Sequence, residues 1–409
     1  MNKPQDKRLR LARRFRKQQT FSQKSSPLSA FICGLVADLL SPESQDEEIA
    51  SWLLTASEGQ TSFAVPMLLL ASIHYEILRG NPVFSRLARY YPTVGGYREI
   101  EPDIFVTELY RVLRAQQEIL GEFIASSSVQ TNETSRGVCW VLPLSYVHWA
   151  EVALVDLGCS AGLNLIAEKR RYALHELDGN QRLKVFGYGQ SPEFSVVSEG
   201  EVFMPVQTQL PKISARIGCD LHPFLLHNPS DEIRLASFVW GDQPERLDRL
   251  QEAINAFHVV AQTQNPVQLF GAKLPDELSS FLYSSLPKPT TPVVVYNTYL
   301  RPYIREGWES IEYSLKEWSK NHEQPLLWLQ WELAPNGVQG PQLGWLAWTA
   351  ELVENGQSRK WLLGWVHPHG GHVQWEKGMR GWNDFWTKEK GKVEKKKIVS
   401  GLMQDRTGV

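Results

Sequence analysis

No stretch of the 409 residues strings together the roughly 18 to 20 apolar residues that a membrane-crossing helix needs, and the longest candidates carry charges or prolines. Cysteine is scarce. Its four copies, Cys33, Cys139, Cys159 and Cys219, are scattered, with no C-x-x-C and no zinc-like spacing, so a reducing cytoplasm is the expected compartment. An excess of one charge is missing too: 43 Lys and Arg face 45 Asp and Glu, a formal net charge of -2, which gives no general attraction to nucleic acid. There is no phosphate-loop Lys-Ser/Thr pair and no metal-ligand helix, so a nucleotide-dependent hydrolase finds no support. What is present is ordinary for a globular protein, 42% hydrophobic and 22% charged, in a length that suits one large domain and a smaller one.

Residues 1–25 form a basic arm, with Lys3, Lys7, Arg8, Arg10, Arg13, Arg14, Arg16 and Lys17 nearly free of acids. It reads either as a solvated arm or as an organelle-targeting helix. Residues 26–144 show apolar positions three and four apart, as in Phe31-Ile32-Leu35-Val36-Leu39, which predicts an all-helical N-terminal domain. Residues 145–386 alternate short apolar runs with amphipathic segments, the pattern of a parallel sheet with crossover helices. Strands are expected at about 152–156, 213–219, 267–270, 293–296 and 326–331, with a hairpin near 344–352 and 360–366 turning at Glu354-Asn355-Gly356. Helices are expected at 161–170, 231–257 (broken near Gly241 and Pro244), 276–284 and 302–320. Residues 172–212 break the alternation and read as an inserted hairpin or small sheet, and 387–409 as a solvated, partly disordered basic tail. The α/β part resembles the Rossmann-like sheet of class I S-adenosylmethionine-dependent methyltransferases, parallel with a C-terminal antiparallel hairpin.

The most informative stretch is Leu154-Val155-Asp156-Leu157-Gly158-Cys159-Ser160-Ala161-Gly162-Leu163-Asn164-Leu165, a buried strand, a small-residue turn and a helix start. Gly158, Ser160 and Gly162 let a ligand approach the backbone, and a helix N-terminus behind them would offer free N–H groups; the bland alternative is a turn that uses small residues for packing alone. Asp156 favours a cationic ligand, because a carboxylate at a strand tip repels the pyrophosphate of a dinucleotide. S-adenosylmethionine carries an ammonium and a sulfonium, so it is the expected cofactor, held by Asp156, Gly158, Ser160, Gly162 and Asn164. Asp220, at the end of the second strand, would accept the ribose hydroxyls, although an insertion places it further along the chain than usual; a turn aspartate capping the next segment explains it as well.

Other groups are open to two readings. Asp242 lies near the cofactor or substrate, or it N-caps its own helix with Glu245 three residues on. Tyr296, at the end of the fourth strand, faces the transferred methyl or is a buried aromatic with a satisfied hydroxyl. Glu133 and Arg136 form an ordinary surface pair or part of a lid over the cleft. Glu133, Asp242 and Tyr296 are the candidates for taking a proton from a methyl acceptor. His367, His369 and His372 read as a turn in preference to a metal set. Eleven of the fifteen tryptophans fall between Trp308 and Trp386 and read as packing.

Ser26-Pro27-Leu28, Gln130-Thr131-Asn132-Glu133, Arg136, the 158–165 turn, Arg171-Tyr172, Gly218-Cys219-Asp220-Leu221-His222-Pro223, Trp240-Gly241-Asp242-Gln243 and His369-Gly370 together resemble domain of unknown function family 2332, an uncharacterised and mostly bacterial family. The resemblance covers most of the chain and implies a methyltransferase-like fold behind a helical N-terminal region, but no reaction. The chain departs from the family pattern at Gly271-Ala272-Lys273, where a commoner Gly-Asp would hold the adenine amino group. Two functions are therefore expected. One is a methyltransferase acting on a small-molecule acceptor without nucleic-acid or membrane partners; the other is a non-catalytic binder of adenosine metabolites, or an interaction protein. Oligomeric state is not legible.

Overall fold

A computed structural model describes residues 3–41, 44, 46–130, 132–176, 182–187, 193–199, 210–286, 289–304, 306–334, 338, 340–342 and 344–404. The chain divides into two compact units, Met1–Asn132 with Leu225–Gln251, and Glu133–Phe224 with Glu252–Val409.

The first unit is built from helices, chiefly Lys3–Ser22, Pro27–Leu39, Glu47–Ala56, Val65–Leu78, Pro102–Ala115, Gln117–Ser126 and Pro229–Ala236. Their apolar stripes close one core around Phe15, Ile32, Leu68, Leu69, Phe105 and Leu109. The basic arm is part of it. Leu11 and Phe15 of the first helix are buried, and Arg8 forks onto both oxygens of Glu47 at 2.8 Å, so this segment is a docked helix where the sequence suggested a solvated or targeting one. Proline at the first helical position and Ser26 as cap start Pro27–Leu39.

Asp242 belongs to the same helix start. One carboxylate oxygen accepts from the Ser26 hydroxyl and the other from the Leu28 amide at 3.0 Å. The local capping reading of Asp242 is thereby corrected: it caps a helix distant in the chain, since free N–H groups at a helix start need an acceptor. Asp242→Ala is expected to destabilise the helical unit by about 1–2 kcal/mol, read by urea unfolding; a change below a few tenths would contradict the capping role.

The second unit is mixed α/β. Its strands are β1 (Glu151–Leu157), β2 (Arg171–Glu176), β3 (Arg182–Phe186), β4 (Glu193–Glu199), β5 (Lys212–Asp220), β6 (Val267–Gly271), β7 (Val293–Thr298), β8 (Leu326–Glu332), β9 (Leu346–Glu354), β10 (Gln357–Val366) and β11 (His372–Trp375). They form one sheet in the order β3-β2-β4-β11-β10-β9-β8-β7-β1-β5-β6. The block β8-β7-β1-β5-β6 is parallel. β1, β7 and β8 are buried on both faces, which is why they read as unbroken apolar runs. Val152, Leu154, Val294, Leu327 and Leu329 share one core with Trp140 and Trp382, while Ala153, Val155, Val293, Val295 and Trp328 share another with Phe281, Leu315 and Trp318.

Two expectations are corrected here. The sheet does not end at the β9–β10 hairpin: β11 pairs antiparallel with β10 and parallel with β4, so the described strands of the 172–212 insertion extend the same sheet. The rest of that insertion lies outside the described residues. The basic tail, expected to be partly disordered, is helical as far as Gln404, within Lys377–Gln404; Met379, Trp382 and Trp386, in the part of that helix before residue 387, bury into the sheet's core. No helix among the described residues is long and apolar enough to cross a membrane.

Candidate functional site

Within the parallel block, the next strand after β1 in sequence, β5, lies on one side of it, and the later β7 on the other. In an open parallel sheet the strand ends diverge at such a point, and the crevice beyond their carboxyl ends is the usual ligand position. Asp156 lies opposite Tyr296 in the β1–β7 register and opposite Gly218 in the β1–β5 register, so the acids of β1 and β5 come to one edge. The turn after β1 needs left-handed backbone at Gly158 (φ 80°), Ser160 (φ 49°) and Gly162 (φ 71°). Glycine is the natural residue for such φ values, and Ser160 holds one without being glycine. The Asp220 carboxylate fixes it, accepting the Ser160 amide at 2.9 Å and the His222 amide at 3.0 Å.

The packing explanation for the glycines holds at two positions. A Cβ on Gly158 would come within 2.8 Å of Leu300, and one on Gly162 within 2.9 Å of Leu269. A correction applies behind them. Leu163–Lys169 is a short 3-10 segment with a non-helical Ile166, so the turn is not backed by the regular helix N-terminus that the sequence implied. Asn164 replaces it as a polar group of note. Its Nδ2 donates to the Glu133 carbonyl at 3.3 Å, while its buried Oδ1 has no donor, an unsatisfied acceptor of the kind that a ligand N–H satisfies.

Asp156 is 4% exposed and accepts from the Tyr296 hydroxyl at 2.7 Å. Burial pushes its carboxyl up to about 7; the Tyr296 bond pulls down and nearby Asp220 pushes up. Tyr296 is fully buried, so the structure places it as the partner of Asp156 and not on an open face. Cys159 and Cys219 are buried beside these acids, and burial raises both thiols, which keeps them unreactive.

Glu332, at the end of β8, went unnoticed in the sequence. Its signal was an acid closing the apolar run Leu326–Trp331. It is 4% exposed and accepts from Asn297 Nδ2 and the Leu300 amide, both at 2.7 Å, and from the Arg301 amide at 3.0 Å. Burial lifts its carboxyl to about 7, against the pull of these donors and of Arg136.

Glu133 and Arg136 are not a surface pair: both are buried. Arg136 Nε donates to the Pro368 carbonyl at 3.0 Å, and its guanidinium lies 5.2 Å from the Tyr299 ring centroid. Glu133 accepts from the Ser135 amide at 3.4 Å, and its other oxygen is 3.6 Å from His369 Nδ1. Thus Glu133, Asp156, Asn164, Asp220 and Tyr296 belong to the strand-end half of the second unit together with the 158–162 turn, whereas Asp242 belongs to the first unit. Among the described residues no group of three or more His, Cys, Asp or Glu is arranged for a metal ion.

Ala272 stands where the sequence comparison missed an acid. Its amide donates to the Asp220 carbonyl at 2.9 Å, and Lys273 pairs with Asp276 at 2.8 Å, so this turn braces β5 and carries no free acid at position 272. The family described as an uncharacterised protein conserved in bacteria, DUF2332, matches residues 12–375. No curated protein and no solved structure matches the chain.

Proposed function

We propose, for a chain that belongs to the DUF2332 family and inherits no reaction from that name, that it is an S-adenosylmethionine-dependent methyltransferase acting on a small-molecule acceptor, built on a Rossmann-like methyltransferase sheet. The observation that carries the reading is the pair of acids at neighbouring strand ends, Asp156 on β1 and Asp220 on β5, across the turn at the chain reversal. Two carboxylates there suit a cationic adenosine ligand and repel a pyrophosphate. The orphaned Asn164 Oδ1 fits the ammonium, as does Asp156 acting as a buried charge beneath the turn. Asp220 keeps lone pairs for ribose hydroxyls, because each of its oxygens accepts one amide, and Leu221 beside it is 57% exposed, an apolar surface suited to a base. When bound, the cofactor supplies an electrophilic methyl on sulfonium; the chain's own share is to hold, orient and exclude water.

Calorimetric titration with S-adenosylmethionine and S-adenosylhomocysteine, with NAD as a competing ligand, tests this. Micromolar binding, about -8 kcal/mol, is expected. Asp220→Ala should weaken it roughly tenfold or more, since hydrogen bonds to a charged group contribute about 1.5–3 kcal/mol. Asp220→Asn, which keeps an acceptor for the turn, separates loss of ligand from loss of fold. A folded wild type that binds neither compound would defeat the proposal. Binding without consumption in any metabolite extract would favour a non-catalytic adenosine-metabolite binder, the reading that Ala272 supports.

A further inference from the structure

We propose that the exposed face of the first helix, Lys3–Ser22, is a docking surface for a membrane bearing anionic phospholipid. The proposal is independent of the methyltransferase reading. A whole-chain charge near zero conceals where the cations stand: between Asp6 and Asp38 the chain has no acid but eight Lys and Arg. Docking of the helix sorts them. Leu11, Phe15 and Ser22 are buried in the helical unit, whereas Arg10, Arg13, Lys17 and Phe21, spaced three, four and four apart, share an exposed face about 16 Å long. Arg13 and Lys17 have no hydrogen bond or ion pair among the described residues, nor has the exposed Lys24 just past the helix. Arg10 reaches only Asp6, at 3.4 Å. Other arginines of the unit are matched: Arg86 and Arg111 share Glu108, and Arg98 takes Glu101 at 2.7 Å.

Aromatic side chains accompany the cations. Phe21, at the C-terminal end of the stripe, is 60% exposed and meets the Trp240 ring edge-on at 6.3 Å. Phe63, 40% exposed, lies under the Arg14 guanidinium at 4.4 Å. Rings that reach headgroup depth beside cations that meet lipid phosphates are the composition of a peripheral membrane surface, where a basic cluster and an apolar contact act together. Shape decides between polyanions. Leu11 and Phe15 fix one side of the helix in the core, so it lies along a plane of headgroups and does not sink into a nucleic-acid groove as a recognition helix does.

Vesicle sedimentation with the full chain tests it. Vesicles of phosphatidylcholine with about a quarter phosphatidylglycerol should carry the protein down, and phosphatidylcholine alone should not, because each Lys or Arg near an anionic surface contributes about fivefold. Salt at about 0.5 M should release it. The double variant Arg13→Gln/Lys17→Gln, which breaks no contact described above, should partition about thirtyfold more weakly, Phe21→Ala several-fold more weakly, and Lys320→Gln, at an exposed cation of the second unit, like wild type. Circular dichroism checks that each variant is folded. Equal partitioning of wild type onto both kinds of vesicle, or none onto either, overturns the proposal. So does a folded double variant that binds anionic vesicles as wild type does, since the attraction then lies elsewhere in the chain. A single-stranded oligouridylate that binds wild type more tightly than the vesicles and releases it from them overturns it in favour of nucleic acid.

Discussion

Replacing Glu332 with alanine is expected to destabilise the sheet-containing unit by on the order of 3–5 kcal/mol, because three donors, Asn297 Nδ2 and the Leu300 and Arg301 amides, lose their acceptor inside the protein. That is a large part of a typical folding free energy. Guanidinium unfolding at pH 6, followed by tryptophan fluorescence, reads it well, since eleven tryptophans lie between Trp308 and Trp386. A loss below 1 kcal/mol would show that water satisfies those donors. The pH dependence has a definite sign. Glu332 shifts from an ordinary 4.5 to about 7 on folding, so between those values the native state holds a proton that the unfolded chain has released. Stability from this group is therefore full at the acid end, falls as pH rises toward 7 and is level above. The span is on the order of 3 kcal/mol, and Glu332→Gln should flatten it.

The second large effect concerns Asp156 and is an expectation within the proposed function. A carboxyl lifted to about 7 by burial is mostly neutral at pH 5.5 and mostly ionised at pH 7.5. Only the ionised form attracts an ammonium. Affinity for S-adenosylmethionine should therefore rise by roughly tenfold per pH unit below 7 and level off above, by the same linkage. Asp156→Asn keeps the shape and the Tyr296 contact but removes the charge; it should abolish the slope and weaken binding at pH 7.5 by about 10- to 100-fold. Calorimetry at pH 5.5, 6.5 and 7.5 decides. An equal slope in wild type and variant would assign the titration to another group.

The parallel strands were legible because burial on both faces writes itself as runs such as Val152–Val155 and Val293–Tyr296, and the 158–162 turn was legible from its small residues. The pairings across long sequence distances were not. Asp242 reads as an N-cap for the segment that follows it, yet its partners Ser26 and Leu28 lie at the other end of the helical unit's sequence. Glu133 and Arg136 at i, i+3 read as a surface pair because nothing local reveals that the His367–His372 turn covers them. β11 escaped notice because four residues after a histidine- and glycine-rich turn carry too little periodicity to register. The helix expected at 161–170 was overruled by left-handed backbone at Ser160 and Gly162, and the segment that follows tightens to 3-10.

The parallel pairing of β4 with β11 also sets an order of events during synthesis. On the side away from β2, Val197, Ser198 and Glu199 pair with His372, Val373 and Gln374. At ribosomal rates the intervening stretch takes on the order of ten seconds to appear. For that interval β4 has only β2 beside it and an unpaired edge on the other side. The nascent chain thus carries an adhesive strand that its own C-terminal quarter must reach before another chain does.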